Sequence, residues 1–270
     1  MVVRYDLMQM KEILERLLAG EFTVAEAQRA LEANQVEQVD DLARLDPGRM
    51  ARKGVPEVIL ASGKTPELCA RLALRLVETS GVALVSRVTE SHDIALRAAA
   101  GGLEFEVFGS GRRLRRGPAP EPSTGAIGVL AAGSSDVDVA EEARMVAESM
   151  DVRVLHAYDV GISAVHRLAE PLAAMVRADI DAVVVVAGME GALPTLVGGL
   201  VAVPVVAVPT STGYGAGGRG LAALLAMLQT CSPGVTVVNI DNGIGAGAAA
   251  ALVALRVARV RSEPSLTARG

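Results

Sequence analysis

The sequence predicts an α/β protein: a parallel sheet flanked by helices in three layers, with a smaller α/β domain in front. Three observations predict it. From residue 126 onward, short Val- and Ala-rich runs alternate with helical stretches over short connections, and that alternation implies a parallel sheet with right-handed crossovers. The runs are apolar at every position, as strands buried on both faces are. Hydrophobic residues make up 51% of the chain but aromatics only 2%, with no Trp, so Ala, Val, Leu and Gly must build the core by close packing.

Taken in order, a helix is expected near 5–19, where Leu7, Met10, Ile13, Leu14 and Leu17 recur at helical spacing. Thr23 and Glu26 have the capping-box form and open a second short helix. A strand-like run at 57–61 leads to Thr65-Pro66, an N-cap followed by proline at the first helical position. A strand at 82–86, a helix at 91–100 and a strand at 103–108 follow. Segment 110–124 has the Gly- and Pro-rich composition of a linker, with Arg112, Arg113, Arg115 and Arg116 read as solvated within it. The domains are accordingly placed at 1–115 and 125–262. In the second, strands are expected near 126–131, 152–156, 182–187, 203–208 and 235–240. Its helices are expected near 136–150, 163–178, 190–200, 215–229 and 246–259.

The formal net charge is −5, which gives no global attraction to nucleic acid. Residues 182–209 are apolar over a length that could cross a bilayer, but they contain Glu190, three prolines and four glycines. Strand, turn, helix, turn, strand fits them better, and no membrane association is expected. The two cysteines, Cys69 and Cys231, form no CxxC pair, and the N-terminus is mixed and charged. A reducing cytoplasm and two free thiols are expected.

In an open parallel sheet the ligand lies beyond the carboxyl ends of the strands. Behind the strand at 126–131 stand Gly133, Ser134 and Asp136, which open a helix whose amides suit a phosphate; a plain capped turn fits equally well. Behind the next, His166 and Arg167 begin a helix. Behind 182–187 come Gly188, Met189 and Glu190. A carboxylate inside an apolar run is expected to be buried, and burial raises a carboxyl pKa and makes it a better base near neutrality. Thr212 lies in a Gly-rich stretch from 209 to 220 that opens a helix and suits a phosphate, although it lacks the GK[ST] of a Walker loop. Cys231 precedes the last strand in a polar loop, and Asn242 follows that strand before another glycine turn. Cys69, inside a helix among apolar neighbours, is expected to be structural.

Gly133-Ser134-Ser135-Asp136, the His166 segment, Ala187–Pro194 (AGMEGALP) and the alanine-rich last helix together resemble the aminoimidazole ribonucleotide carboxylase, or PurE-like, fold, a flavodoxin- or Rossmann-like architecture. The run Leu45-Asp46-Pro47-Gly48-Arg49-Met50-Ala51-Arg52-Lys53-Gly54-Val55-Pro56-Glu57-Val58-Ile59, followed by Gly63-Lys64-Thr65, narrows this to a resemblance to the LarB family of nickel-pincer cofactor synthesis. Purine carboxylases carry a His shortly before the Leu-Pro of the third loop, where this chain has Glu190. LarB proteins are characterised by that Glu and by a cysteine where Cys231 stands.

The resemblance implies carboxylation of the pyridinium C5 of nicotinic acid adenine dinucleotide and hydrolysis of its phosphoanhydride. The products would be pyridinium-3,5-biscarboxylic acid mononucleotide and AMP. Carbon dioxide or bicarbonate is the co-substrate, Mg2+ is expected to assist with the phosphates, and no tightly bound organic cofactor is expected. Cys231 is assigned as nucleophile and Glu190 as base. Gly133, Ser134, Asp136, His166, Arg167, Gly188, Met189, Thr212 and Asn242 are assigned to the substrate, with Asp136 also placing the metal. Arg49, Arg52 and Lys64 supply positive charge either for the adenylate half or for docking of the front domain. A homo-oligomer is expected. The competing readings are a purine-pathway carboxylase of the same fold and a non-catalytic nucleotide sensor, which would need the glycine loops but no reactive Cys231.

Overall fold

The computed structural model describes residues 2–33, 36–39 and 43–262. Contacts divide the chain into two compact units, Met1–Phe105 with Arg113–Pro118, and Glu106–Arg112 with Ala119–Gly270.

The first unit begins with α1 (Val2–Leu18) and α2 (Val24–Ala33). Among the apolar positions expected to line α1, Ile13 is buried while Met10 and Leu14 are largely exposed; the side chain of Leu7 lies outside the described residues. The capping box of α2 is formed: Glu26 accepts from Thr23 N at 2.7 Å, and Thr23 Oγ1 accepts from Glu26 N at 3.3 Å. An antiparallel pair, β1 (Glu37–Val39) and β2 (Ala43–Leu45), precedes the short α3 (Arg49–Lys53). Then come β3 (Val58–Leu60), α4 (Pro66–Ser80), β4 (Val82–Ser86), α5 (Glu90–Ala100), β5 (Glu104–Phe108) and β6 (Gly111–Arg115). The last four strands form one sheet in the order β3-β4-β6-β5, with β3 and β4 parallel. Thr65 caps α4 by accepting from Leu68 N, and Gly81 ends it in the left-handed region at φ 78°, as glycine does at helix ends. Leu72, Leu76, Val85, Leu96 and Leu114 form the core with Cys69.

β6 corrects the sequence reading of 110–124 as a solvated linker. Gly109 at φ 52° and Ser110 make a two-residue turn between β5 and β6, and Leu114, Arg113 and Arg115 are buried. Four arginines conceal the strand pattern, because their aliphatic stems can line a buried surface while their charge reads as solvent-facing.

The second unit is the expected parallel α/β layer structure. Its elements are β7 (Ala126–Ala131), α6 (Val137–Ser149), β8 (Arg153–Ala157), α7 (His166–Arg177), β9 (Ala182–Ala187), α8 (Leu193–Gly198), β10 (Val205–Pro209), α9 (Leu221–Leu228), β11 (Val235–Val237) and α10 (Gly243–Ser262). The order β11-β10-β9-β7-β8 is parallel throughout. The run at 182–209 resolves into β9, α8 and β10, as expected. α8 is shorter than the expected 190–200 because Gly191 is left-handed at φ 62° and Pro194 stands at the helix start. α9 begins late because Gly218, Arg219 and Gly220 are all left-handed, at φ 53°, 50° and 90°.

α10 is long and apolar enough to cross a membrane by composition, yet Ala246, Ala250, Ala251, Ala254 and Ala258 are buried in the core. A Cβ at Gly243 would overlap Val139 O, and one at Gly247 would overlap Ala143 O. The two glycines therefore let α10 cross α6 backbone to backbone.

Candidate functional site

Strand order reverses between β7 and β9, which leave the sheet towards opposite faces. That topological switch point opens a crevice beyond the carboxyl ends. A crevice of about 600 Å3 lies there. One wall comes from Gly133, Ser135 and Asp136 behind β7, another from Asp159, Gly161 and Ser163 behind β8. Gly188, Met189 and Glu190 behind β9 and Thr212, Gly213 and Tyr214 behind β10 complete it.

Asp136 is the buried centre of this region, 4% exposed. Its Oδ1 accepts from Thr210 Oγ1 and Thr212 Oγ1, each at 2.7 Å, and its Oδ2 accepts from Gly133 N at 3.0 Å. One carboxylate thus ties the loop after β7 to the loop after β10. Gly188 faces the same knot: a Cβ there would stand 2.6 Å from Thr212 O and 2.7 Å from the Thr210 and Thr212 hydroxyls. Gly188→Ala should therefore cost about 1–3 kcal/mol by overpacking, lowering the melting midpoint by roughly 3–9 °C. A thermal melt checks this; an unchanged midpoint would mean that the β9 loop relaxes freely.

Glu190 corrects the expectation of burial. It is exposed at the crevice rim, because Met189 at φ 50° and Gly191 at φ 62° turn the chain out of the strand end. A Cβ at Gly191 would stand 2.8 Å from Ala223 O, so the turn needs glycine both for its conformation and for its closeness to α9.

His166 and Arg167 open α7 and are exposed. Neither lines the crevice, but Arg167 forms an ion pair with the Asp159 carboxylate and donates to Asp159 O at 3.3 Å. Ser134 lies in the 3-10 turn before α6, and its neighbour Ser135 faces the crevice instead. Asn242 stands away from the walls and caps α10, its Oδ1 accepting from Gly245 N at 2.8 Å. Sequence reasoning did not single out Asp159, Thr210 or Tyr214. Asp159 carried a signal, since it stands in the short loop behind a strand, two residues before Gly161. Thr210 carried none, since its partner Asp136 is 74 positions away.

Tyr158, beside Asp159 in sequence, has a different task. It donates to Glu141, which Arg144 grips through two nitrogens at 2.8 and 2.7 Å. Burial, reinforced by the Glu141 carboxylate, pushes the phenol pKa well up, so Tyr158 remains protonated and pins β8 to α6.

Cys231 is exposed, in the loop before β11. The crevice lies beyond the carboxyl ends of the strands, so Cys231 lies at the opposite, amino end of its own sheet. The loop is anchored to α8: Thr195 Oγ1 donates to Thr230 Oγ1 at 2.8 Å, and Ser232 Oγ donates to Thr195 O at 2.7 Å. Cys69 is fully buried, and burial pushes its thiol pKa up; it packs as a small apolar residue.

The carboxylates on these walls that could face a magnesium ion are those of Asp136, Asp159 and Glu190. Both oxygens of Asp136 are engaged, Asp159 is paired with Arg167, and among the described residues no group of three His, Cys, Asp or Glu gathers as a ligand set. In the first unit, Arg49 and Arg52 pair with Asp46, Arg49 also with Glu57 at 3.0 Å, and Lys64 Nζ donates to Leu60 O at 2.8 Å. These three cations hold the turns of their own motif.

A parallel sheet in this order, with a polar crevice at its switch point, defines a doubly wound α/β protein whose candidate site lies beyond the strand ends. A family model described as AIR carboxylase matches residues 126–268, and one described as the LarB/PurE-like N-terminal domain matches residues 36–109. An uncharacterized protein of Methanocaldococcus jannaschii is 38% identical over 252 residues, covering 90% of this chain and 97% of that protein. The chain belongs to the AIR carboxylase family in its LarB/PurE-like form, and its function is of the carboxylase type.

Proposed function

We propose that the protein carboxylates C5 of the pyridinium ring of nicotinic acid adenine dinucleotide and hydrolyses the phosphoanhydride, releasing pyridinium-3,5-biscarboxylic acid mononucleotide and AMP. The observation that carries this reading is the carboxylate of Glu190 on the wall of a carboxylase-type crevice, in a chain that also bears the LarB-type front domain.

A pyridinium ring is electron-poor, so C5 cannot attack carbon dioxide until a nucleophile has added. A thiolate adding at C4 converts the ring to an enamine. C5 then forms the bond to carbon dioxide, Glu190 takes the C5 proton, and expulsion of the thiolate restores the aromatic ring. The thiolate is recovered and one proton is released. Cysteine serves both steps, as nucleophile and as leaving group. In the second half-reaction water cleaves the P–O–P bond. Because Cys231 and the crevice lie at opposite ends of one sheet, the scheme takes the thiol from a second copy in a homo-oligomer. No step is routed through a metal ion.

Mass spectrometry after incubation with the dinucleotide and labelled bicarbonate tests the proposal. A mononucleotide carrying two ring carboxylates, one labelled, together with AMP is expected. Labelled product from aminoimidazole ribonucleotide, and none from the dinucleotide, would return the protein to purine chemistry.

A further inference from the structure

The crevice suits one half of a dinucleotide better than the other. Among the described residues its walls carry Asp136 and Glu190 as acids without an ion pair, Asp159 with its charge offset by Arg167, and no Lys, Arg or His. Such walls suit a cationic ring and disfavour a phosphoanhydride. A second cavity of about 240 Å3 shares Met189, Thr212, Gly213 and Tyr214 with the crevice and is closed by the glycine-rich loop that ends at Gly220. Its cation is Arg219. Arg49, Arg75, Arg144 and Arg167 each pair with a carboxylate, whereas Arg219 has no ion pair or hydrogen bond among the described residues. It also sits in the left-handed region at φ 50° between two left-handed glycines, where a third glycine would be the unstrained residue.

We propose that this second cavity is an oxyanion subsite, with Arg219 as its recognition residue, and that it takes the phosphoanhydride of the substrate while the acidic crevice takes the ring. The guanidinium supplies several N–H donors to phosphate oxygens, and the glycines let the backbone come close to them. The identity of the ligand rests on the dinucleotide reading above; the oxyanion chemistry of the subsite does not.

Titration calorimetry of the full chain and of Arg219→Gln tests the proposal with three probes: inorganic pyrophosphate, nicotinic acid adenine dinucleotide and its nicotinamide counterpart. Pyrophosphate affinity should fall at least tenfold, a loss of about 1.4 kcal/mol, and both dinucleotides should weaken by a similar factor. Arg219→Gly, which relieves the left-handed conformation, should show the same loss and so separates charge from backbone. Weakening confined to the nicotinate form would assign the Arg219 contact to the ring carboxylate and overturn the phosphate assignment. Unchanged affinity for all three probes in both variants would overturn the subsite altogether. Pyrophosphate binding that depends on Arg219, in a protein that binds neither dinucleotide, would sustain the subsite and overturn the dinucleotide reading.

Discussion

Cys231→Ala should abolish carboxylation while leaving affinity for the dinucleotide within about twofold, since deleting one exposed sulfur away from the crevice walls removes no uniform binding. The sulfur is accessible, and its loop is fixed to α8 by Thr195, Thr230 and Ser232, so alanine leaves the local fold in place. Single-turnover carboxylation and equilibrium titration read the two halves of the prediction. Unchanged turnover would sink the covalent scheme. The position of the thiol at the amino end of the sheet makes a second demand. Mixing Cys231→Ala chains with Glu190→Gln chains, which should be slowed, should restore the full rate at about a quarter of the sites if random assembly across a shared interface joins an intact crevice to an intact thiol. No recovery in exchanged mixtures would mean that both groups act from one chain.

Asp136→Ala should be the most damaging change to stability in the crevice. It strips two hydroxyls and one backbone amide of their shared acceptor. Water that enters will serve some of them, so a cost of about 2–4 kcal/mol follows from the desolvation of unpaired buried groups. Thr212 belongs to both cavities, so ligand affinity should fall with stability. Asp136→Asn should retain much of both: its carbonyl can face Gly133 N while its amide donates to the two threonine oxygens. Thermal melts of the two variants decide the matter. Equal midpoints for Asp136→Ala and the parent protein would remove Asp136 as the tie between these loops.

The parts of the fold set by local chemistry were legible in the sequence. The unbroken run Val183–Val186 announced a strand buried on both faces, and Thr23 and Thr65 announced helix starts that form as expected. The parts set by pairing at a distance were not. β6 was concealed by arginines whose stems are buried. Arg167 finds Asp159 across a turn, and nothing in either residue's surroundings advertises that their charges cancel. The exposure of Glu190 depends on backbone angles at Met189 and Gly191, which side-chain hydropathy does not encode. The location of Cys231 obeys the rule that places the crevice: a residue just before a parallel strand lies at the end away from the ligand.

The knot at Asp136 also bears on how a ligand is received. It joins two loops through a buried carboxylate, whereas the turn bearing Glu190 meets that structure through Met189 N and Thr212 O at 3.5 Å. An entering molecule therefore meets a buried floor already tied together by one carboxylate, and at its rim an exposed carboxylate, that of Glu190. The group proposed to move a proton is thus the one on these walls that faces solvent before a ligand arrives.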